Sequence, residues 1–177
     1  MHARRLFFAL WPAQDDAARI MAWARDAHAL LGGRIMRQDT LHLTLAFLGG
    51  TGERDVQRLI QAVPGWTARI EPITLRRFGR FHGPRVVWAG PDENSRIVWL
   101  DALHQAVWSR LESMGWQPPS EAFRPHVSLL RRAGSGDMAM LGCRPPITWT
   151  PEACVLAASQ PDLGGSRYQV LARMRLA

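Results

Sequence analysis

The tetrapeptide His-x-(Ser/Thr)-Leu occurs twice, as His42-Leu43-Thr44-Leu45 and as His126-Val127-Ser128-Leu129, about half a chain apart. The chain's own residue counts place only about 0.06 such tetrapeptides by chance. Both copies lie in β-rich runs. Along a strand, residues i and i+2 face the same way, roughly 7 Å apart. His42 and Thr44 therefore share one face, with Leu41, Leu43 and Leu45 on the other, and His126 with Ser128 repeats this against Val127 and Leu129. Each strand buries an apolar edge and presents an imidazole and a hydroxyl together.

The two copies also occupy matching places in their halves. In each half a strand, a long helix, a histidine strand and further strands follow in order. Residues 5–11 predict a buried strand ended by Pro12. Asp15 and Asp16 suit the first turn of a helix whose apolar face runs to Gly32-Gly33. The run Leu41 to Leu48 predicts a strand stopped at Gly49-Gly50. A short helix is expected over 53–63, strands over 67–77 and 85–89, and a connector from Phe78 to Pro84. Residues 93–116 predict the second long helix, 123–130 the second histidine strand, 134–146 a loop with one helical turn, and 148–158 and 167–175 the last strands. The expected class is α+β, a single domain over residues 1–177. It would comprise two pseudo-symmetric lobes, each a small antiparallel sheet with packed helices, around a central groove.

Composition narrows the chemistry. The chain has 177 residues, 22 basic and 15 acidic, and every basic residue is arginine. Without lysine there is no Schiff base, no P-loop lysine and no lysyl adenylate. The net charge of +7 favours anionic partners. Cys143 and Cys154 form no CxxC pair, which disfavours a zinc ribbon and fits a reducing cytoplasm. The apolar run Leu6 to Trp11 is far too short to span a membrane, and a soluble cytoplasmic monomer is expected.

Two imidazoles and two hydroxyls across a groove suit acid–base chemistry near neutral pH, because one imidazole can be neutral while the other is protonated. A phosphodiester is the fitting substrate, since it carries a charge to hold and needs one proton removed and one supplied. Arg131, three residues after Ser128, could engage phosphate. His2, His28, His82 and His104 lack a matched partner and are read as structural. The basic and aromatic stretch Arg76 to Arg85 mixes residues typical of RNA surfaces, but a hairpin whose rings serve the core is the simpler reading. The tryptophans are assigned to the core.

The paired motifs, with Arg5-Leu6-Phe7-Phe8-Ala9-Leu10, Leu41 to Gly49, Arg85-Val86-Val87-Trp88, Arg124-Pro125 and Gly165 to Leu171, resemble the two-histidine phosphoesterases. The closer likeness is to the RNA 2′,3′-cyclic phosphodiesterase (2′-5′ RNA ligase) family. The departure is Ser128, where that family usually has threonine. The resemblance implies hydrolysis of a 2′,3′-cyclic phosphate to a 2′-phosphomonoester, on RNA ends or small cyclic-phosphate nucleotides. It implies His126 as proton acceptor, His42 as proton donor, and Thr44, Ser128 and Arg131 on the phosphate. No metal or cofactor is implied, and reversal would give 2′-5′ ligation. A noncatalytic RNA-end binder is the alternative. A metal hydrolase ranks last, because no HxH or HExxH cluster is present.

Overall fold

A computed structural model describes residues 3–177; His2 lies outside them. The first half holds β1 (Arg4–Pro12), α1 (Gln14–Leu31), β2 (Arg34–Ile35), β3 (Leu43–Thr51), α2 (Glu53–Ala62), β4 (Thr67–Ala68), β5 (Ile73–Leu75), β6 (Arg77–Phe81) and β7 (Val86–Gly90). The second holds α3 (Val98–Ser113), β8 (Val127–Arg131), β9 (Ile147–Trp149), β10 (Pro151–Asp162), β11 (Gly165–Arg173) and β12 (Arg175–Leu176). Helix α1 buries Ala17, Ile20, Met21, Ala24, Ala27 and Leu31, the i, i+3, i+4, i+7 stripe its sequence carries. It ends where Gly32 takes φ of 61° and donates its N–H to the His28 carbonyl.

The α+β class holds. Two half-sheets, β11-β10-β1-β3 and β8-β7-β6, join into one antiparallel sheet through a single pair, Leu43 opposite Val127. Strand β2 adds to β8 beyond that pair. Small ladders β4–β12 and β5–β9 stand apart from it. Membership of the half-sheets differs from the sequence rhythm. Strands β6 and β7 come from the first half of the chain and pair with the second histidine strand; β10 and β11 come from the second half and pair with β1. The helices cross over too, α1 packing on β8 and α3 on β3.

Several boundaries move: the strand expected over 123–130 begins only at Val127, with His126 just before it, and the one expected over 67–77 divides into β4 and β5. Strand β3 runs through Gly49 and Gly50 to Thr51, because β1 continues to pair with it there. The expected connector Phe78 to Pro84 is mostly strand, since Arg77 to Phe81 pair with β7 and only the turn after them connects. Residues 93–97 stay outside α3.

The core lies on the helix side of the sheet. Leu6, Phe8, Leu10, Leu43, Val127 and Leu129 are fully buried there with the helix faces. The alternate residues of β1 and β10 (Phe7, Ala9, Ala153, Val155 and Ala157) form a smaller cluster on the opposite face, joined by Trp11 and Tyr168. That second face carries the histidines.

Candidate active site

Antiparallel pairing of Leu43 with Val127 relates β3 and β8 by a local twofold. Those two side chains enter the core, so their neighbours turn to the other face. His42, Thr44, His126 and Ser128 therefore lie side by side on one face at the centre of the sheet. The paired motifs alone predict histidines facing each other across a groove between two lobes; the ladder shared by the half-sheets puts them on one face instead.

The imidazoles are held alike. Nδ1–H of His42 donates to the Thr40 carbonyl at 2.7 Å, and Nδ1–H of His126 donates to the Arg124 carbonyl at 2.7 Å. Each bond fixes the tautomer of the neutral ring, leaving Nε2 as the basic atom. At His42 the Thr44 hydroxyl donates to Nε2 at 3.1 Å. Among the described residues, Ser128 makes no such bond to His126.

Arg131 reaches this face through a register shift. Trp88 pairs with Ser128 but Val87 pairs with Leu130, so Leu129 is an extra residue in β8. Leu129 and Leu130 then both point into the core at 0% exposure, and Arg131 returns to the side of Ser128. Strand β3 does the same: Ala9 pairs with Thr44 and Phe8 with Ala46, burying Leu45 and Ala46 in succession. The residue that this places in the position of Arg131 is Phe47, 54% exposed beneath the Arg5 guanidinium.

Burial lowers the His42 pKa to about 4, and the charges of Arg131 and His126 push the same way against the Thr40 hydrogen bond. Burial also lowers His126, assisted by Arg131 and opposed by the Arg124 carbonyl. Both imidazoles thus feel the Arg131 charge, and Arg131 lines a small cavity with Thr40 and Tyr168, residues that flank His42.

Five aromatic side chains that the sequence argument left to the core or passed over surround the pair. Trp11 stacks on His42 at 4.9 Å and 22°, Phe7 lies at 5.0 Å, and Tyr168 meets it edge-on at 5.2 Å. Phe81 stands edge-on to His126 at 4.9 Å, and Trp88 lies 5.9 Å away. The available signals were alternation within β1, which puts Trp11 in phase with Phe7, and Tyr168 as the only tyrosine. The stretch Arg76 to Arg85 divides: Phe78 packs on Trp23, as a core hairpin requires, while Phe81 serves the site. His28 bonds the Gly33 carbonyl, and His104 stacks on Phe123. Cys143 and Cys154 are both free. Among the described residues no group of three or more His, Cys, Asp or Glu is placed to hold a metal.

Two imidazoles, two hydroxyls and one guanidinium thus share one face of the sheet, the arrangement of residues that a two-histidine phosphoesterase would need. The chain belongs to the 2′-5′ RNA ligase superfamily, whose family model matches residues 12–160. Among its relatives, the RNA 2′,3′-cyclic phosphodiesterase of Escherichia coli K12 is 31% identical, covering 98% of this chain and 97% of that one. The protein of the same name from Thermus thermophilus is 27% identical over 97% of this chain and 90% of that one. The crystal structure of E. coli LigT complexed with 3′-AMP superposes with a TM-score of 0.81 at 28% identity, covering 99% of both chains.

Proposed function

We propose that the protein hydrolyses 2′,3′-cyclic phosphate ends of RNA, and cyclic-phosphate nucleotides, to 2′-phosphomonoesters. The observation that carries the reading is the local twofold, which sets two imidazoles on one sheet face, each with Nδ1–H tied to a backbone carbonyl so that Nε2 is the atom left to trade a proton, at His42 beside the Thr44 hydroxyl. Relatives named RNA 2′,3′-cyclic phosphodiesterase support it, as does the LigT complex with 3′-AMP.

His126 accepts a proton from water as the water oxygen attacks phosphorus. The bond from phosphorus to the 3′ oxygen breaks, and His42 supplies that oxygen with a proton. Thr44 and Ser128 hold the nonbridging oxygens. Arg131 balances the charge that builds on them in the transition state. His42 is neutral at pH 7 in the free protein. The anionic phosphodiester offsets Arg131 and raises the imidazole, so the donor takes up its proton with the substrate. The reverse reaction, with a 5′-hydroxyl RNA replacing water, joins ends through a 2′-5′ bond.

No helix is long and apolar enough to cross a membrane. Free Cys143 and buried Cys154 support residence in a reducing cytoplasm, and one chain carries both histidines, so a monomer suffices for the reaction. The deciding experiment incubates the protein with chelator and a 2′,3′-cyclic-phosphate mononucleotide or oligonucleotide, and locates the product phosphate. A 2′-phosphate is expected. Absence of turnover on both substrates overturns the reading in favour of a noncatalytic RNA-end binder.

A further inference from the structure

The local twofold matches Trp11 to Gly90. Trp11 follows by two residues Ala9, the partner of Thr44; Gly90 follows by two residues Trp88, the partner of Ser128. Beside His42 the rings of Phe7, Trp11 and Tyr168 pack together, and the cavity of about 610 Å³ against them has its arginines, Arg37 and Arg167, paired with Asp39 and Asp162. Beside His126 Gly90 takes that place, and the Trp88 ring lies over it, since a Cβ there would come within 2.8 Å of that ring. A cavity of about 800 Å³ lies on that side, running from Trp88 and Pro125 past Arg77 and Arg80 to Phe123 and His104.

Its lining suits a polyanion with bases. Asp92 and Asp101 are engaged by Arg76 and Arg96, leaving Glu93 as the remaining carboxylate. Among the described residues, Arg77 and Arg80 meet no carboxylate. Arg77 lies on the face of Gly79 and Phe81, its Nε–H donating to the Pro91 carbonyl at 3.0 Å beneath the Trp88 ring, whereas Arg80, opposite the buried Val87, turns to the other face and donates to the Gly134 carbonyl. A guanidinium carries five N–H donors, so Arg77 keeps others for phosphate. The far wall is flat: Phe123 stacks on His104 with ring centroids 4.0 Å apart and planes within 10°. Cations beside an aromatic face are the means by which single-stranded RNA is held.

A 2′,3′-cyclic end continues as RNA in one direction only, through its 5′ phosphate, so the strand must leave along one half of the site. We propose that it leaves past His126, with the penultimate nucleotide in this cavity, its phosphate on Arg77 and its base against Phe123. This inference rests on the phosphodiesterase reading above and adds where the body of the substrate lies.

The test compares kcat/KM on a cyclic-phosphate mononucleotide and a cyclic-phosphate trinucleotide, in wild type, Arg77→Gln and Phe123→Ala. Wild type should prefer the trinucleotide. Phe123→Ala should lower trinucleotide kcat/KM by about tenfold, mainly through KM. Arg77→Gln should flatten the salt dependence of the trinucleotide reaction by a slope of about 0.7. Mononucleotide turnover, unchanged in both variants, reports that they fold. Equal wild-type efficiency on both lengths overturns the inference, as do variant losses that are the same for both substrates. Wild type inert on both substrates overturns the phosphodiesterase reading itself.

Discussion

The two halves of the site begin from the same tetrapeptide and end in different environments. Each imidazole has the same backbone anchor at the same 2.7 Å. Around His42 the sequence then places Trp11, Phe7 and Tyr168; around His126 it places Gly90, Trp88 and Phe81. Where β8 returns Arg131 to the face, β3 returns Phe47. One half packs an indole on its imidazole where the other has a glycine, and the place of Arg131 is taken across the twofold by an aromatic ring. A twofold site built this way keeps the symmetry its two proton transfers need, yet tells one side of the phosphate from the other.

The largest expected effect tests the shared part. His42→Ala and His126→Ala should each lower kcat by about a thousandfold, the scale of a lost proton transfer, with circular dichroism unchanged. Retained turnover in either variant breaks the equivalence of the two imidazoles. The next tests the part present once. Arg131→Gln should lower kcat by about a hundredfold, as for loss of one donor to a developing oxyanion. Because the Arg131 charge lowers both imidazoles, the same variant should move the pH optimum of kcat/KM upward. In wild type both imidazoles titrate below the ordinary 6.5, so that optimum should lie below pH 6.5. A maximum above pH 7 would contradict the burial assigned to the pair.

The His42 shift also has a stability consequence with a fixed sign. The unfolded chain protonates this imidazole near 6.5 and the folded chain only near 4, so between those values the unfolded state binds more protons. Its contribution is nil above pH 6.5 and destabilising as pH falls toward 4. Urea unfolding at pH 7 and 4.5 should show wild type losing about 2–3 kcal/mol more than His42→Gln. Equal losses would mean that the imidazole is not shielded from water.

Much of this was legible in the sequence, and the failures share a cause. Alternation within Leu41 to Leu45 and Pro125 to Leu129 gave the facing of each histidine, because strand periodicity is local. Helix α1 was readable from its apolar stripe and the glycines that end it. Pairing between β1 and β10, or β7 and β8, is set by the packing of distant segments, so the exchange of strands between halves was not readable. Strict alternation also puts residues 128 and 131 on opposite faces; the adjacent buried pair Leu129-Leu130 was the only trace of the register shift. Trp11, Tyr168 and Phe81 were missed for a related reason: an aromatic residue in a strand fits a core equally well until the other face is known to hold an imidazole.

The smallest predicted effect addresses what makes the two halves differ. Both imidazoles are lowered, and the shift is the larger at His42. If ring stacking is the source, removing the ring must reduce the difference. Trp11 covers one face of His42, and its indole N–H donates to the Asp39 carbonyl at 3.2 Å, which holds it there. Trp11→Ala admits water to that face and leaves the Thr40 bond in place, so the His42 pKa should rise by about one unit. Phe81 meets His126 only edge-on, so Phe81→Ala should move the His126 pKa by less. Imidazole resonances followed by NMR across pH 3 to 8 measure both. Equal shifts would assign the difference between the halves to Arg131 and not to the aromatic wall.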